Sequence, residues 1–590
     1  MKKHLITKQA SIVLLCAVIA SACSSQAATD TSEQTTASAT AQPATAAQSA
    51  TAAASTTAAS TDVIKKIEYA ADDQYTDWSA SNATQIELNG TSAAVTGTGA
   101  AVNGSKISIT AAGTYVVSGK LDNGQIAVNV KDKGVVRLVL SGAEIASSST
   151  SPILVEEAGK TIISLQEGTS NLVSDGKSYE NVDASSGEPN SAIFSKDDLT
   201  INGTGKLVVQ GNYNNGITSK DKLKITEGTL EIKAVDDGIM GRDLVAVKDG
   251  KLTVEAGGHS IKTSNDTAGE EGYIAIDGGT FNLTSGEDAL HSKGGLHVLG
   301  GDLKINAGDD GINGGVSVAI AGGTIDIAQS NEGIEAPNIV ISEGKTSVVS
   351  SDDGVNVSSG SGEAEAGAAP QRGGQPGAAS GASSANKLTI TGGYLSVDAK
   401  GDGLDSNGSI AMSGGTVVVN GPSENGNGAL DYDGTFDMTG GFLVAAGSSG
   451  MAQATSDQST QPGLLMTYSK QQQAGTLVHL QESEGKDVLT FAPAKTYQSL
   501  FVSSPNLKKD AAYTLYTGGT STGSAVKGLY DGGTYQGGTK VVDFTQSSVI
   551  TWLSETGVTA ARQGMGGPGG QGGGRRGMRN PPQGQMPPNQ

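Results

Sequence analysis

Along most of the chain the hydrophobic positions recur in one short frame: glycine, any residue, apolar, any residue, apolar. It reads GKLVV from Gly205, GTLEI from Gly228, GKLTV from Gly250, GTFNL from Gly279, GDLKI from Gly301 and GTIDI from Gly323. Looser copies continue it as GKTSV from Gly344, GYLSV from Gly393, GTVVV from Gly415 and GFLVA from Gly441. Alternation within each copy, as in Leu230 and Ile232 or Leu303 and Ile305, has the period of a strand with one buried face. A third apolar position returns in each unit, at Ile217, Ile239, Ile261, Leu290, Ile312, Ile334, Val355 and Leu404. The copies lie 23, 22, 29, 22, 22, 21, 49, 22 and 26 residues apart. The interval of 49 holds one repeat plus a low-complexity insertion at 361–386, which predicts a loop extruded from one coil.

Each unit therefore predicts several short strands separated by bends. Such a unit cannot bury its apolar face alone, and stacked copies make a continuous core, which is the logic of a parallel β-helix. Leucine-rich repeats have a similar length but need a Leu and Asn pattern that is absent, and the nine-residue calcium β-roll has the wrong period. With strands about 4.8 Å apart, roughly fifteen coils make a rod on the order of 70 Å long. The all-β domain is expected over 66–453, with closing coils or a small β-cap over 454–556.

Composition agrees with many short strands and glycine turns: 85 glycines, 4% aromatic and 36% hydrophobic residues. A net charge of −21 argues against nucleic acid and leaves cations as plausible partners. Lys2, Lys3 and Lys8 precede the apolar run SIVLLCAVIASAC, which is too short to span a membrane and reads as a signal peptide over 1–22. ASAC resembles a bacterial lipobox and makes Cys23 the expected lipidation site, with the protein anchored on the outer face of the bacterial cell membrane. Cys16 lies within the signal, so a disulfide framework and a Cys-ligated zinc site are excluded from the mature chain. An Ala/Ser/Thr-rich linker follows over 23–65, and a Gly/Pro/Arg-rich tail closes the sequence over 557–590; neither has the apolar content to order itself.

Residues at one offset of an in-register repeat form a column. The turn before the third apolar position reads Asn214 and Asn215, Asp236 and Asp237, Gly258 and His259, Glu287 and Asp288, Asp309 and Asp310, Asn331 and Glu332, Asp352 and Asp353, then Gly401 and Asp402. Asp and Asn are good turn residues because their side chains bond neighbouring backbone amides, and that alone would stack them. Repeated acid pairs additionally call for counterions, and oxygens converging from adjacent turns suit Ca²⁺. The expected metal ligands are Asp236, Asp237, Asp288, Asp309, Asp310, Asp352 and Asp353. A second column holds Lys220, Arg242 and Lys293, cations that either pair with nearby acids or meet the carboxylates of an acidic polymer. Tyr213, beside NNGI, is the best stacking residue in the coils.

The stretch NSAIFSKDDLTINGTGKLVVQGNYNNGITSKDKLKITEGTLEIKAVDDGIMGRD strongly resembles the bacterial secreted carbohydrate-binding β-helix family related to a clostridial cellulose-binding protein with a pectate-lyase-like fold. The resemblance spans roughly 70–550 and is densest over 190–360. It implies a right-handed parallel β-helix, Ca²⁺ sites and binding of cellulose-like or acidic plant polysaccharides at the cell surface. The expected glycan-binding residues are Tyr213, Lys220, Arg242, His291 and Lys293, in a monomer, with function concentrated over 214–312. A Ca²⁺-dependent lyase is the alternative, with Arg242, His291 or Lys293 beside Asp237 and Asp288; the Arg-x-Pro-x-x-Arg word of one lyase family is absent. A surface adhesin or structural rod is a third reading.

Overall fold

The computed structural model describes residues 64–75, 78, 82–180, 182–358 and 386–561. Strands dominate, and the only helical piece among the described residues is the single 3₁₀ turn Ala71–Asp73. Each repeat contributes three strands. One repeat supplies Thr229–Ala234, Ile239–Gly241 and Leu244–Val247; the next supplies Lys251–Ala256, Ile261–Thr263 and Tyr273–Ile276. Each strand pairs in parallel with its counterpart, so that Leu230 meets Leu252, Ile239 meets Ile261 and Val245 meets Ile274.

The ten copies of the glycine frame form one row in register: Leu207, Leu230, Leu252, Phe281, Leu303, Ile325, Thr346, Leu395, Val417 and Leu443. The third apolar residues form another, from Ile217 to Leu404 and on to Leu430. Both rows are buried in one cluster that runs from Ile86 to Ile550. At Gly250 the frame requires glycine: φ is +126°, and a Cβ would stand 2.9 Å from the Gly228 carbonyl oxygen one repeat away. Register resumes on the far side of 359–385, where Ser350 pairs with Ala399 and Val355 with Leu404.

Pairing turns antiparallel at both ends of the stack. Thr84–Gly90 folds on Ala93–Thr96, and Ala100–Asn103 on Lys106–Ile109. The strand of the last frame, Phe442–Gly447, pairs antiparallel with Tyr497–Ser503 on its far side. A separate six-stranded antiparallel sheet, containing Val478–Glu482, Asp487–Phe491 and Ala512–Thr517, covers a second core. The chain stays paired past residue 557, where the tail is expected to begin, because Gly557–Val558 folds back on Ile550–Ser554.

Residues 64–74 run as a strap across the outward side of the third strands of successive repeats, Leu199–Asn202, Lys222–Ile225, Leu244–Val247 and Tyr273–Ile276. Lys65 N donates to Tyr273 Oη at 3.1 Å and Tyr69 Oη to Asp277 Oδ2 at 2.9 Å. Asp73 is fully buried at the strap's end, with Lys160 Nζ 2.9 Å from Oδ1 and Lys224 Nζ 3.0 Å from Oδ2. The linker expected to reach residue 65 thus ends in a docked segment. The signal, Cys23, the rest of that linker, the insertion except Asn386 and the tail beyond residue 561 lie outside the described residues.

Candidate functional site

The bend between the frame strand and the next short strand carries the paired polar residues, and the two members of each pair part company. The first (Asp236, Glu287, Asp309, Asp352) faces outward and is exposed or half-buried. The second turns under the coil: Asp237, His259, Asp288 and Asp310 are buried, while Glu332, Asp353 and Asp402 are half-buried.

This inner row has a structural task. With the exception of Glu332, which accepts from Asn356 Nδ2 instead, each side chain accepts the backbone N–H at the equivalent position of the following repeat. Asn215 Oδ1 accepts from Asp237 at 3.1 Å, Asp237 Oδ1 from His259 at 3.1 Å, and His259 Nδ1 from Asp288 at 3.2 Å. Asp288 Oδ1 accepts from Asp310 at 2.9 Å, Asp310 Oδ1 from Glu332 at 3.2 Å, and Asp353 Oδ1 from Asp402 at 2.6 Å. A buried N–H at a bend needs an acceptor, and amide, carboxylate and imidazole all supply one, which explains the mixture of Asn, Asp and His. Asp237→Asn, which keeps the acceptor, is therefore expected to leave stability nearly unchanged. Asp237→Ala leaves the His259 amide unpaired and should cost about 1–3 kcal/mol, as read from denaturant midpoints of the two variants.

The remaining oxygen of each inner acid faces a third row, which no shared residue type marks in the sequence. It holds the middle residues of the short strands: Thr218, Met240, Lys262, His291, Asn313, Glu335, Asn356, Asp405 and Asp431, all in register. Each directly follows a third apolar residue, so strand alternation turns it away from the core. Lys262 Nζ lies 3.4 Å from Asp237 Oδ2, and His291 Nδ1 lies 2.7 Å from Asp288 Oδ2. Asn313 Nδ2 donates to Asp310 Oδ2 at 2.9 Å and to Glu335 Oε2 at 3.0 Å.

Charge along these rows changes sign only once. Lys262 supplies an ammonium at Asp237, and from Asp310 onward the rows contain acids and amides without a Lys or Arg. Burial, with Asp288 adding, pushes the Asp310 carboxyl up to about 9. Burial first, and neighbouring acids second, carry Glu332 to about 7, Asp353 and Asp402 to about 6 and Asp405 to about 8. Burial, then His291 and Lys262, depress His259 to about 3, so its imidazole is neutral.

Two groups of carboxylates bring ligand atoms within 4.8 Å of one another: Asp288, Asp309 and Asp310, and then Asp310, Glu332 and Glu335. All-oxygen donors of this kind suit Ca²⁺. Among the described residues Asp236, Asp237, Asp352 and Asp353 stand apart from these groups, while Glu332 and Glu335 join them.

The expected basic column lies at the other corner of the short strands. Lys220 Nζ pairs with Glu188 Oε1 at 2.7 Å, and Arg242 Nη1 with Asp243 Oδ1 at 2.8 Å. The Lys293 amide donates to Thr263 Oγ1 at 3.3 Å. Tyr213 is half-buried and stacks on Tyr179, with centroids 4.2 Å apart and 15° between planes. Tyr179 Oη donates to Asp175 Oδ2 at 2.7 Å, so the pair is braced from below.

Residues 103–354 match the family model described as carbohydrate-binding domain-containing protein. A protein of that description from Acetivibrio thermocellus is 40% identical over 129 residues, which are 22% of this chain and 45% of the relative. The chain thus spans less than half the length of that curated relative. Among solved structures, a polysaccharide lyase-like protein from C. thermocellum, a gadolinium derivative, is 32% identical, with 41% of this chain and 92% of that one covered and a TM-score of 0.35. The resemblance to a carbohydrate-binding family is met by the family match over 103–354.

Proposed function

We propose that this chain is a non-catalytic polysaccharide-binding protein, and that its in-register repeats wind as a right-handed parallel β-helix whose acid rows hold Ca²⁺ against the carboxylates of an acidic glycan. The observation that carries the reading is the stretch of the two rows from Asp310 to Asp405, which has no cationic side chain and in which Asp310, Glu332, Asp353, Asp402 and Asp405 are raised in pKa. Such a run is neutralised by protons or by bound cations. A divalent ion with free coordination positions can bridge to a uronate. The Lys262 ammonium already serves Asp237, so the centre of function is placed further along the rows, over 288–405, than the expected 214–312.

Binding is favoured over cleavage by the state of the candidate bases. Arg242 is held by Asp243 and Asn265, and His291 Nε2 is buried, so neither offers a free base to a polymer. Tyr213, on its braced Tyr179 partner, supplies the flat apolar face that a sugar ring packs against. The lipobox-like word ASAC ending at Cys23 supports a lipoprotein displayed on the outer face of the membrane.

The test is co-sedimentation of the full chain with polygalacturonate and with cellulose, in Ca²⁺ or EDTA, with the absorbance of unsaturated sugars followed throughout. Retention on polygalacturonate in Ca²⁺, release by EDTA and flat absorbance are expected, with Glu335→Gln and Asp405→Asn weakening retention about tenfold each. Retention that ignores EDTA removes the role of calcium, and steady formation of unsaturated product replaces binding by lyase activity.

A further inference from the structure

The rows change chemistry at one place. His259, in the inner row, and His291, in the outer one, stack with ring centroids 4.4 Å apart and 25° between planes. Asp288 Oδ2 lies 2.7 Å from His291 Nδ1 and 3.7 Å from His259 Nδ1, and Glu287 Oε2 lies 3.0 Å from His259 Nε2 at the solvent edge. His259, Asp288 and His291 each offer one ligand atom, and the three atoms lie within 4.8 Å of one another. Independently of that clustering, His291 Nε2 is buried and has no hydrogen-bond partner. A buried ring nitrogen without a partner is costly, and a ligand at that position relieves the cost.

We propose that His259, Asp288 and His291, with Glu287 at the rim, form a site for a borderline-soft transition-metal dication of the Zn²⁺ class. Two imidazoles and a carboxylate are the donors that Zn²⁺ accepts and that Ca²⁺, which takes oxygen, does not select. The site differs in its nitrogen donors from the all-oxygen groups further along the rows, although it shares Asp288 with the first of them. Asp288 Oδ1 is committed to the Asp310 amide at 2.9 Å, so Oδ2 is the oxygen turned toward the two imidazoles, held 2.7 Å from His291 Nδ1. Tetrahedral ligands of Zn²⁺ stand about 3.3 Å apart, and the ligand atoms of His259, Asp288 and His291, already within 4.8 Å of one another, are close to that spacing. The backbones beneath them are fixed by the pairing of Ile261 with Leu290. A bound ion would join the inner and outer rows across two repeats, beside the longest interval in the regular part of the stack.

The full chain, freed of metal with EDTA and then dialysed, is titrated calorimetrically with ZnCl₂ in the presence and absence of excess CaCl₂, and with CoCl₂ followed by visible absorption. The expected result is one Zn²⁺ bound per chain at this site, undisturbed by Ca²⁺, and a Co²⁺ spectrum of the intensity that four-coordinate nitrogen and oxygen ligation produces. His291→Ala should weaken Zn²⁺ about tenfold or more while leaving intact the Ca²⁺ response of the Asp310, Glu332 and Glu335 group, which does not include Asp288. His259→Asn should do the same with an unchanged thermal midpoint, because asparagine still accepts the Asp288 amide as Asn215 does for Asp237. Zn²⁺ affinity that both variants leave unaltered, or Zn²⁺ that Ca²⁺ displaces at comparable concentration, overturns the proposal.

Discussion

Asp73→Ala is expected to detach the strap and to cost about 3–5 kcal/mol, the largest effect of any single side chain outside the apolar core. Asp73 receives Lys160 and Lys224 on its two oxygens, with Thr200 Oγ1 donating to Oδ1 at 2.8 Å and the Ala70 amide to Oδ2 at 2.8 Å. Its own carbonyl accepts from Asn202 Nδ2 at 3.0 Å and from Thr226 Oγ1 at 2.9 Å. The two lysine side chains are only 15% and 13% exposed, and removing the carboxylate leaves Lys160 with Asp72 as its one acid and Lys224 with only the Glu68 carbonyl as acceptor. The measurement is limited trypsin digestion, with cleavage after Lys65 and Lys66 accelerated in the variant, alongside the denaturant midpoint. An unchanged cleavage rate would show that the strap is held by Ile67 and Tyr69 packing instead. Burial alone would raise the Asp73 carboxyl, but the hydrogen bonds from Lys160, Lys224 and Thr200 outweigh it and hold the group at about 2. Its stabilisation is therefore complete above the ordinary carboxylate value and lost as pH falls through about 2.

The acid rows are expected to show the opposite sign. Their folded-state values lie above those of the unfolded chain, so in metal-free protein the folded state binds more protons than the unfolded one. Stability is then greatest below about pH 4 and declines as pH rises above it, the loss from Asp353 and Asp402 levelling off near 6 and that from Asp310 only near 9. Each tenfold gain in a carboxyl's proton affinity on folding corresponds to about 1.4 kcal/mol. Because the acids repel one another their contributions do not add independently, and a total on the order of 5 kcal/mol is expected. Ca²⁺ in place of the protons should flatten the decline, because it stabilises the ionised form. Thermal midpoints between pH 4 and 9 in EDTA and in Ca²⁺ test this, and a flat profile in EDTA would mean that the carboxylates are already neutralised by other means.

The strand frame is legible in the sequence because parallel stacking in register gives every repeat the same environment. Leu230, Leu252 and Leu303 occupy one buried row, and their spacing alone announces it. The inner polar row is half legible: its column can be drawn, but in the sequence Asp236 and Asp237 look equivalent. They are not, because the bend sends one side chain outward and the other beneath the next repeat. The outer row is readable in principle from strand alternation. Lys262 and Glu335 nevertheless give no signal of their own, since one is basic, the other acidic, and their row has no common residue type.

What the sequence by itself determined is the periodic part: strand, bend, buried apolar positions and the column that carries the acids. Periodicity encodes contacts between copies of the same residue, and those contacts need no information from elsewhere in the chain. What only the tertiary structure decided is every contact between unlike positions. Lys262 neutralising Asp237, His259 stacked on His291, Tyr179 under Tyr213 and Asp73 seated on Thr200 join residues at offsets the repeat does not specify. Their chemistry is set by burial and by the distance between charges, and both quantities exist only once the coils have stacked.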